Sequence, residues 1–139
     1  MPKTAREIMT GPAECIGEND TIAEAARRLA KHKVGSMPIC GEDDRLKGML
    51  TDRDIVVKVL AEGKDPEVTK AGEIGEGKPV TIGADDSVQE ALRTMAQHKV
   101  RRLPVIDGHR LVGIVSQADI ATNLDEEDVG KLVEIISEN

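Results

Sequence analysis

The apolar positions of the chain follow one pattern that is written twice, about 66 residues apart. Each copy opens with a short apolar segment, around Cys15 and Ile16 or at 80–82, which predicts a strand. Apolar residues then recur at helical spacing, which predicts one buried helix face in each copy. This stripe consists of Ile22, Ala25, Ala26, Leu29 and Ala30 in the first copy, and of Val88, Ala91, Leu92, Met95 and Ala96 in the second.

A hydroxyl residue stands directly before each of these helices. Thr21 is followed three residues later by Glu24, and Ser87 is followed at the same spacing by Glu90. This spacing is typical of a capping box, in which the hydroxyl and the glutamate satisfy two backbone N–H groups reciprocally. Both helices are therefore predicted to begin with such a box.

Two further strands and a second helix complete each copy. An apolar-proline-apolar segment and another apolar segment are separated by turn residues, which predicts an antiparallel hairpin. These strand segments are 37–39 and 46–50 in the first copy, and 103–106 and 111–115 in the second. The helix between the first two strands of each copy predicts a parallel crossover. The second helix is predicted to open at Thr51 or at Ser116.

The repeat predicts an α+β fold with α/β-like crossovers, in which two β-α-β-β-α motifs pack about a pseudo-two-fold axis. The predicted boundaries are 1–62 for the first motif, 63–70 for a linker, 71–124 for the second motif and 125–139 for a C-terminal helix. That last helix either completes the core or meets another subunit, through an apolar face of Val129, Leu132, Val133 and Ile136.

The composition narrows the classes of function. The 139-residue chain has a net charge of -7 and contains no Trp, Tyr or Phe. Clustered cations neutralise phosphates and aromatic rings stack bases, so we expect neither nucleic acid nor an anionic membrane as a partner. No apolar run is long enough to cross a bilayer, and the first residues lack the apolar core of a signal peptide. We therefore expect a cytoplasmic protein.

The closing phrase of each copy is the candidate functional segment. It reads GMLTDRD in the first copy and GIVSQAD in the second, so Thr51 and Ser116 are each followed three residues later by Asp54 and Asp119. The same spacing caps helices, and a purely structural role is the alternative. In that case Thr51 simply begins a helix whose apolar face is Ile55, Val56, Val59 and Leu60. The two roles are compatible, because a capping residue can also face a cleft.

Taken together, these features resemble a tandem pair of CBS motifs, a Bateman module. The resemblance runs from about Ala5 to Ile120 and includes the phrases RRLPV and LVGIV of the second copy. It implies an adenosine-containing ligand, such as AMP, ATP, NAD or S-adenosylmethionine, in clefts between the motifs. It also implies a regulatory module without catalytic activity, which acts through conformation or association, commonly as a homodimer. Because no enzyme or transporter domain is attached, the regulated protein would be a separate partner, still unknown.

The family pattern assigns the ligand contacts position by position. Asp54 and Asp119 accept hydrogen bonds from the two ribose hydroxyls, and charged acceptors make the stronger bonds. Thr51 and Ser116 hold a phosphate together with backbone N–H groups at the helix start. The remaining expected contacts are Arg53, Arg101 and Arg102 for phosphate, with Ile16 and Met37 or Ile82 and Leu103 for adenine.

The two clefts are not expected to be equivalent. The first copy has Gly35 and Ser36 at the positions where the second copy has Arg101 and Arg102. These arginines either assist a phosphate or block the second cleft. The sequence leaves open which cleft is the working site.

Cys15 and Cys40 provide a second candidate chemistry. The crossover makes their strands neighbours, which brings a disulfide within reach. The alternative is a pair of buried thiols that act as small apolar side chains and stay reduced in the cytoplasm. Cys15, with 38–40 and 48–56, also resembles the mycobacterial hypoxic-response type of this family, which implies a redox role. The alternative function is therefore a redox or stress-response dimer with vestigial ligand clefts.

The other polar motifs indicate no further chemistry. His32 and His98 stand at helix exits, where a cation is favourable, and no ligand spacing supports a metal site. The chain contains neither a glycine-rich phosphate loop nor a Gly-x-Ser-x-Gly nucleophile motif. We therefore expect no metal, no required cofactor and no catalysis.

Overall fold

A computed structural model describes residues 3–11, 13–75 and 79–123 of the chain. The elements associated with the first copy are α1 (Ala5–Ile8), β1 (Ile16–Gly17), α2 (Ile22–His32), β2 (Ser36–Cys40), β3 (Leu46–Thr51) and α3 (Asp52–Asp54), which continues as a π-helix (Ile55–Leu60). Those associated with the second are α4 (Ala71–Ile74), β4 (Ile82–Gly83), α5 (Val88–His98), β5 (Arg102–Asp107), β6 (Arg110–Ser116) and α6 (Gln117–Ala121). The predicted C-terminal helix at 125–139 lies outside the described residues.

The strands form two separate three-stranded sheets of the same design. In the first sheet, β1 runs parallel to β2, and β2 pairs antiparallel with β3; β4, β5 and β6 repeat this arrangement. The predicted parallel crossover and the predicted hairpin are thus present in both copies, and the α+β fold class is confirmed. The first strands begin later than predicted, by one residue at Ile16 and by two residues at Ile82.

The long helices begin where predicted, but the caps differ from the prediction. The hydroxyls of Thr21 and Ser87 accept from the backbone N–H of Glu24 and Glu90 at 3.2 and 3.1 Å. The glutamate side chains do not complete a capping box; each forms an ion pair with the arginine three residues later. The reciprocal box was therefore wrong here, because a nearby guanidinium is the stronger partner for the carboxylate.

The predicted apolar stripes are buried except at Ala26, which is half-buried, and at their last alanines. Ile22, Ala25 and Leu29 enter the first core, as Val88, Ala91, Leu92 and Met95 enter the second. Ala30 and Ala96, which were predicted to lie on the same faces, are exposed.

The second helix of the first copy departs from the predicted periodicity. After the single turn of α3, residues Ile55–Leu60 form a π-helix with wider hydrogen-bonded turns. Val59 is fully buried, whereas Val56 and Leu60 are 56% and 57% exposed. The predicted apolar face at these positions was therefore wrong, because the π-helix rotates successive side chains differently from a 3.6-residue helix.

The chain in space divides into two compact units, and the short helices α1 and α4 decide their composition. The backbone N–H of Ala5 donates to Asp86 O, so α1 joins the second-copy strands. The N–H of Ala71 donates to Asp20 O, so α4 joins those of the first copy. We call residues 14–79 the first-copy unit, and the described residues before 14 and after 79 the second-copy unit. Each unit has its own aliphatic core.

Candidate functional site

Both closing phrases form the same strand-to-helix junction. Thr51 ends β3 and Ser116 ends β6, and a helix starts at the next residue in each case. The hydroxyl of Thr51 accepts from Asp54 N at 3.0 Å, while Asp54 Oδ2 accepts from Thr51 N at 3.1 Å. Ser116 and Asp119 repeat the exchange at 3.2 and 2.9 Å. The capping role is therefore present in both copies, and it occupies one oxygen of each carboxylate.

The second carboxylate oxygen distinguishes the two junctions. Asp54 Oδ1 lies 3.3 Å from Lys58 Nζ, and the Asp54 side chain is only 12% exposed. At the position that corresponds to Lys58, the second copy has Asn123, whose amide donates to the backbone carbonyl of Asp119 at 2.7 Å. Within the described part of the chain, the second oxygen of Asp119 has no protein partner. Asp119 is thus the carboxylate that is free to accept hydrogen bonds from a ligand.

The start of the neighbouring strand flanks each junction. Arg102 pairs with Ser116 in the sheet, and the N–H of Gln117 donates to Arg101 O at 2.9 Å. Both arginines are exposed, and no ion pair involves either of them among the residues that the structure describes. The predicted cations therefore lie on the strand entry directly beside Ser116.

The first-copy junction has the opposite electrostatic character. Ser36 pairs with Thr51, and the N–H of Asp52 donates to Gly35 O at 2.9 Å. The Asp52 carboxylate faces Gly35, with Oδ2 3.4 Å from where a Cβ would stand. Arg53 follows it as an exposed cation. This junction thus combines an additional carboxylate with a Lys58-paired Asp54, whereas the second-copy junction combines two arginines with a single carboxylate.

The four residues predicted to line the adenine are core residues. Ile16 and Met37 belong to the first core, and Ile82 and Leu103 to the second, each no more than 5% exposed. Their side chains pack against α2 or α5 within their own unit. Their contact with an adenine stays a prediction.

Lys58 and Gln117 were not among the predicted site residues. Lys58 is four residues after Asp54 on a helical segment, a spacing at which opposite charges commonly pair, so the sequence did contain its signal. Gln117 has a buried Oε1 without a hydrogen-bond partner in the described structure. Nothing in the sequence indicated this orphaned oxygen on the residue that follows Ser116.

Cys15 and Cys40 lie at the edge formed by β1 and β2. Their Cα atoms are 5.6 Å apart and the sulfur atoms are bonded in the structure. The parallel pairing of Gly17 with Cys40 provides this proximity. Beside the bridge, His32 Nε2 lies 2.5 Å from Glu14 Oε2, and Arg28 donates to the carbonyl of Cys15. His32 therefore has a specific carboxylate partner besides its position at a helix end.

Comparison with known proteins identifies the family. The CBS domain model matches residues 5–61 and 71–126. The chain belongs to the CBS-domain family. Hypoxic response protein 1 of Mycobacterium tuberculosis is 50% identical over 133 residues, covering 96% of this chain and 93% of that protein. The CBS domain-containing protein YhcV of Bacillus subtilis is 38% identical, covering 96% and 95%. CBS proteins are regulatory, and the match indicates no catalytic family.

Solved CBS structures share the fold. Hypoxic response protein I with two coordinated zinc ions has a TM-score of 0.82 at 52% identity, over 88% of this chain and 100% of that one. The CBS pair of protein MJ0100 in complex with 5′-methylthioadenosine and S-adenosyl-L-methionine has a TM-score of 0.76 at 31% identity, over 88% and 95%. The resemblance to the hypoxic-response type is thereby confirmed.

Two structural checks bear on metals and membranes. In the part of this CBS chain that is described, no group of three or more His, Cys, Asp or Glu side chains is placed to hold a metal ion. The described helices include none that is both long and apolar enough to span a membrane.

Proposed function

We propose that the chain is a CBS-pair regulatory module that binds an adenosine-containing ligand, and that the second-copy junction is its principal site. The observation that carries this proposal is the arrangement at Ser116: a carboxylate with a free oxygen, Asp119, beside two exposed arginines. The 31%-identical CBS pair in complex with two adenosine compounds supports the ligand class.

The chemistry of the junction matches a phosphorylated nucleoside. Vicinal ribose hydroxyls are hydrogen-bond donors, and an ionised carboxylate accepts them more strongly than a neutral group does. Arg101 and Arg102 supply donors of fixed geometry that suit phosphate oxygens. We therefore favour AMP, ATP or NAD over the cationic S-adenosylmethionine at this junction.

The first-copy junction is proposed to bind such ligands more weakly. A ribose that reached Asp54 would have to displace the ammonium group of Lys58. A phosphate near Gly35 would meet the carboxylate of Asp52, with Arg53 as its nearest predicted cation. Repulsion between like charges makes this the poorer phosphate site.

Titration calorimetry of the intact protein with AMP, ATP, NAD and S-adenosylmethionine tests the proposal. Because the chain has no aromatic residues, a copurified nucleotide is also visible directly in the near-ultraviolet spectrum. We expect Asp119→Asn, which keeps an acceptor for the Ser116 cap, to weaken AMP binding at least about tenfold. Asp54→Asn is the matched control and should have a smaller effect.

The double variant Arg101→Ala/Arg102→Ala separates the two recognition elements. It should weaken AMP but leave adenosine nearly unchanged, because adenosine has no phosphate. Absence of heat with all four ligands, together with no nucleotide released on denaturation, would refute the proposed function. Loss of binding in Asp54→Asn but not in Asp119→Asn would refute the choice of junction.

Signalling is proposed to run through association. The module would act as a homodimer in the cytoplasm and pass ligand occupancy to a regulated protein that remains to be identified. Light scattering with and without AMP measures whether the protein forms a homodimer. A monomer under both conditions would contradict it.

A redox or stress-response role is the second candidate, and the bonded sulfurs of Cys15 and Cys40 favour it. In this case the ligand junctions would be vestigial. The intact mass of protein purified in air should rise by two hydrogen atoms on reduction. Two thiols that react freely before reduction would count against this role.

A further inference from the structure

A pocket of about 330 Å³ lies entirely within the first-copy unit. Its walls are the turn after β1 (Glu18, Asn19), the β2–β3 hairpin (Ile39, Gly48) and the segment around α4. None of the predicted ligand contacts at the Thr51 junction lines it. Its volume falls at the lower end of the range for small-molecule sites, about 300–1,000 Å³.

The internal repeat explains why the pocket is open. Gly72 and Gly75 line it, and the repeat places Arg6 and Met9 at the corresponding positions of the second-copy unit. There, the Met9 side chain lies against Gly113, the counterpart of Gly48. Arg6 reaches Asp107 at 3.1 Å. Two side chains that cover this surface in one unit are thus absent from the other.

The residues behind the glycines differ between the two copies in a way that keeps the pocket wall close-packed. A Cβ on Gly75 would collide with the Cδ1 atom of Ile39, whereas the second copy has the shorter Val105 opposite Met9. Gly72 donates its N–H to Glu18 O at 2.9 Å, an approach so close that a Cβ would also come within 2.9 Å of that oxygen. The packing against Ile39 therefore requires the glycine at 75. The hydrogen bond of Gly72 does not by itself require a glycine, because Arg6 makes the equivalent bond to Ala84 O at 2.9 Å.

The recess is lined by both positively and negatively charged side chains. Lys47 Nζ lies 3.3 Å from Asp43 Oδ2. Glu73 Oε2 accepts a hydrogen bond from the backbone N–H of Lys70 at 3.2 Å. Glu18 and Lys70 are both lining residues, and neither charged group has a side-chain partner among the described residues. The Glu18 carboxylate lies beside Gly41, next to the ion pair of Asp43 and Lys47. A ligand that pairs with both must itself carry a cation and an anion.

We propose that this recess binds a small zwitterion, a free α-amino acid. Its ammonium group would pair with Glu18, its carboxylate with Lys70 and the Asn19 amide, and its side chain would rest on Ile39 in the space left by Gly72 and Gly75. Paired and hydrogen-bonded charges offset the cost of withdrawing the zwitterion from water. The proposal is independent of adenosine binding.

Nitrogen-15 NMR of the intact protein tests the proposal directly. We expect one or more of the proteinogenic amino acids, added singly at millimolar concentration, to shift the amide signals of Gly48, Gly72 and Gly75. Gly63 and Gly108, which have open space around them, should stay unchanged. Acetate and methylammonium, which each carry only one of the two charges, should bind at least about tenfold more weakly.

Two variants test whether the amino acid binds in the recess and through its charged groups. Ile39→Val/Gly75→Met copies the Val105 and Met9 arrangement of the second-copy unit and should fill the recess and abolish the shifts. Glu18→Gln keeps the shape of the recess and should weaken binding at least about tenfold. Should the filled variant fail to fold, Glu18→Gln and Lys70→Met decide the matter. No shift with any amino acid, or shifts that persist in Glu18→Gln and Lys70→Met, would overturn the proposal.

Discussion

Lys33 and Lys99 end the two long helices in a left-handed backbone conformation, with φ of 56° and 54°. A side chain at this position costs energy, because its Cβ approaches the following carbonyl, and helices usually place glycine there. No pattern in the chain indicates this strain, since a lysine at a helix end ordinarily suggests a favourable charge.

We therefore expect Lys99→Gly to raise the free energy of unfolding by about 0.5–1 kcal/mol, the strain relief being partly offset by the greater freedom of glycine in the unfolded chain. Urea unfolding followed by circular dichroism at 222 nm measures this change. Lys31→Gly, inside α2, is the matched control and should instead lower stability by about 1 kcal/mol. A loss of stability in both variants would contradict the account.

At the candidate site, the sequence indicated the hydroxyl–carboxylate pairs but not the partners of each carboxylate. The hydroxyl and carboxylate pairs were visible as a repeated spacing, and the structure confirms that they meet at both junctions. The engagement of Asp54 by Lys58, and the free oxygen of Asp119, depend on where long side chains extend. Spacing alone does not determine this, because a lysine has many rotamers of similar energy.

Among the elements, the caps of α2 and α5 show that only one half of a predicted capping box can form. The serine or threonine performs its part, while the glutamate pairs with an arginine instead. Ser87→Ala should therefore lower the free energy of unfolding by about 1 kcal/mol. Glu90→Gln should change it by less than about 0.5 kcal/mol, because it removes only an exposed ion pair.

Thermal or urea unfolding of the two variants side by side provides the test. The equivalent pair in α2, Thr21→Ala and Glu24→Gln, should reproduce the same order. A loss in Glu90→Gln as large as that in Ser87→Ala would indicate a reciprocal capping box after all.

The strand order and the two long helices were predictable because period and turn residues agree in both copies. The second helix of the first copy was less predictable. Its apolar residues fit a 3.6-residue stripe, yet the backbone adopts a π-helix and leaves Val56 and Leu60 exposed. Hydrophobic spacing does not distinguish these helix types, since both place apolar residues every three to five positions.

For the whole molecule, the repeat predicted two similar units but not their membership. Boundaries drawn along the sequence place α1 with the first copy, whereas its hydrogen bonds to Ala84 and Asp86 place it in the second-copy unit. A four-residue helix has too few positions to show a period. Which strands it joins is decided by contacts between residues far apart in sequence, and a single sequence does not display these.

The bridge between Cys15 and Cys40 should contribute to the stability of the folded chain. The two cysteines are separated by 25 residues, so their bond shortens the freely moving loop of the unfolded chain and lowers its entropy. For a loop of this length the effect amounts to about 3 kcal/mol. We expect reduction, or Cys15→Ser/Cys40→Ser, to lower the free energy of unfolding by this amount.

Urea unfolding with and without reductant measures the contribution, and the serine variant is its control, because reductant should not affect it. Hydrogen exchange would locate the effect: β1 and the start of α2, which the bridge ties to β2, should lose the most protection. Equal stability of the oxidised and reduced protein would show that packing of Ile16 and Ile39 alone holds these strands together. In that outcome the cysteines would act only as small apolar side chains, and the redox candidate would lose its structural support.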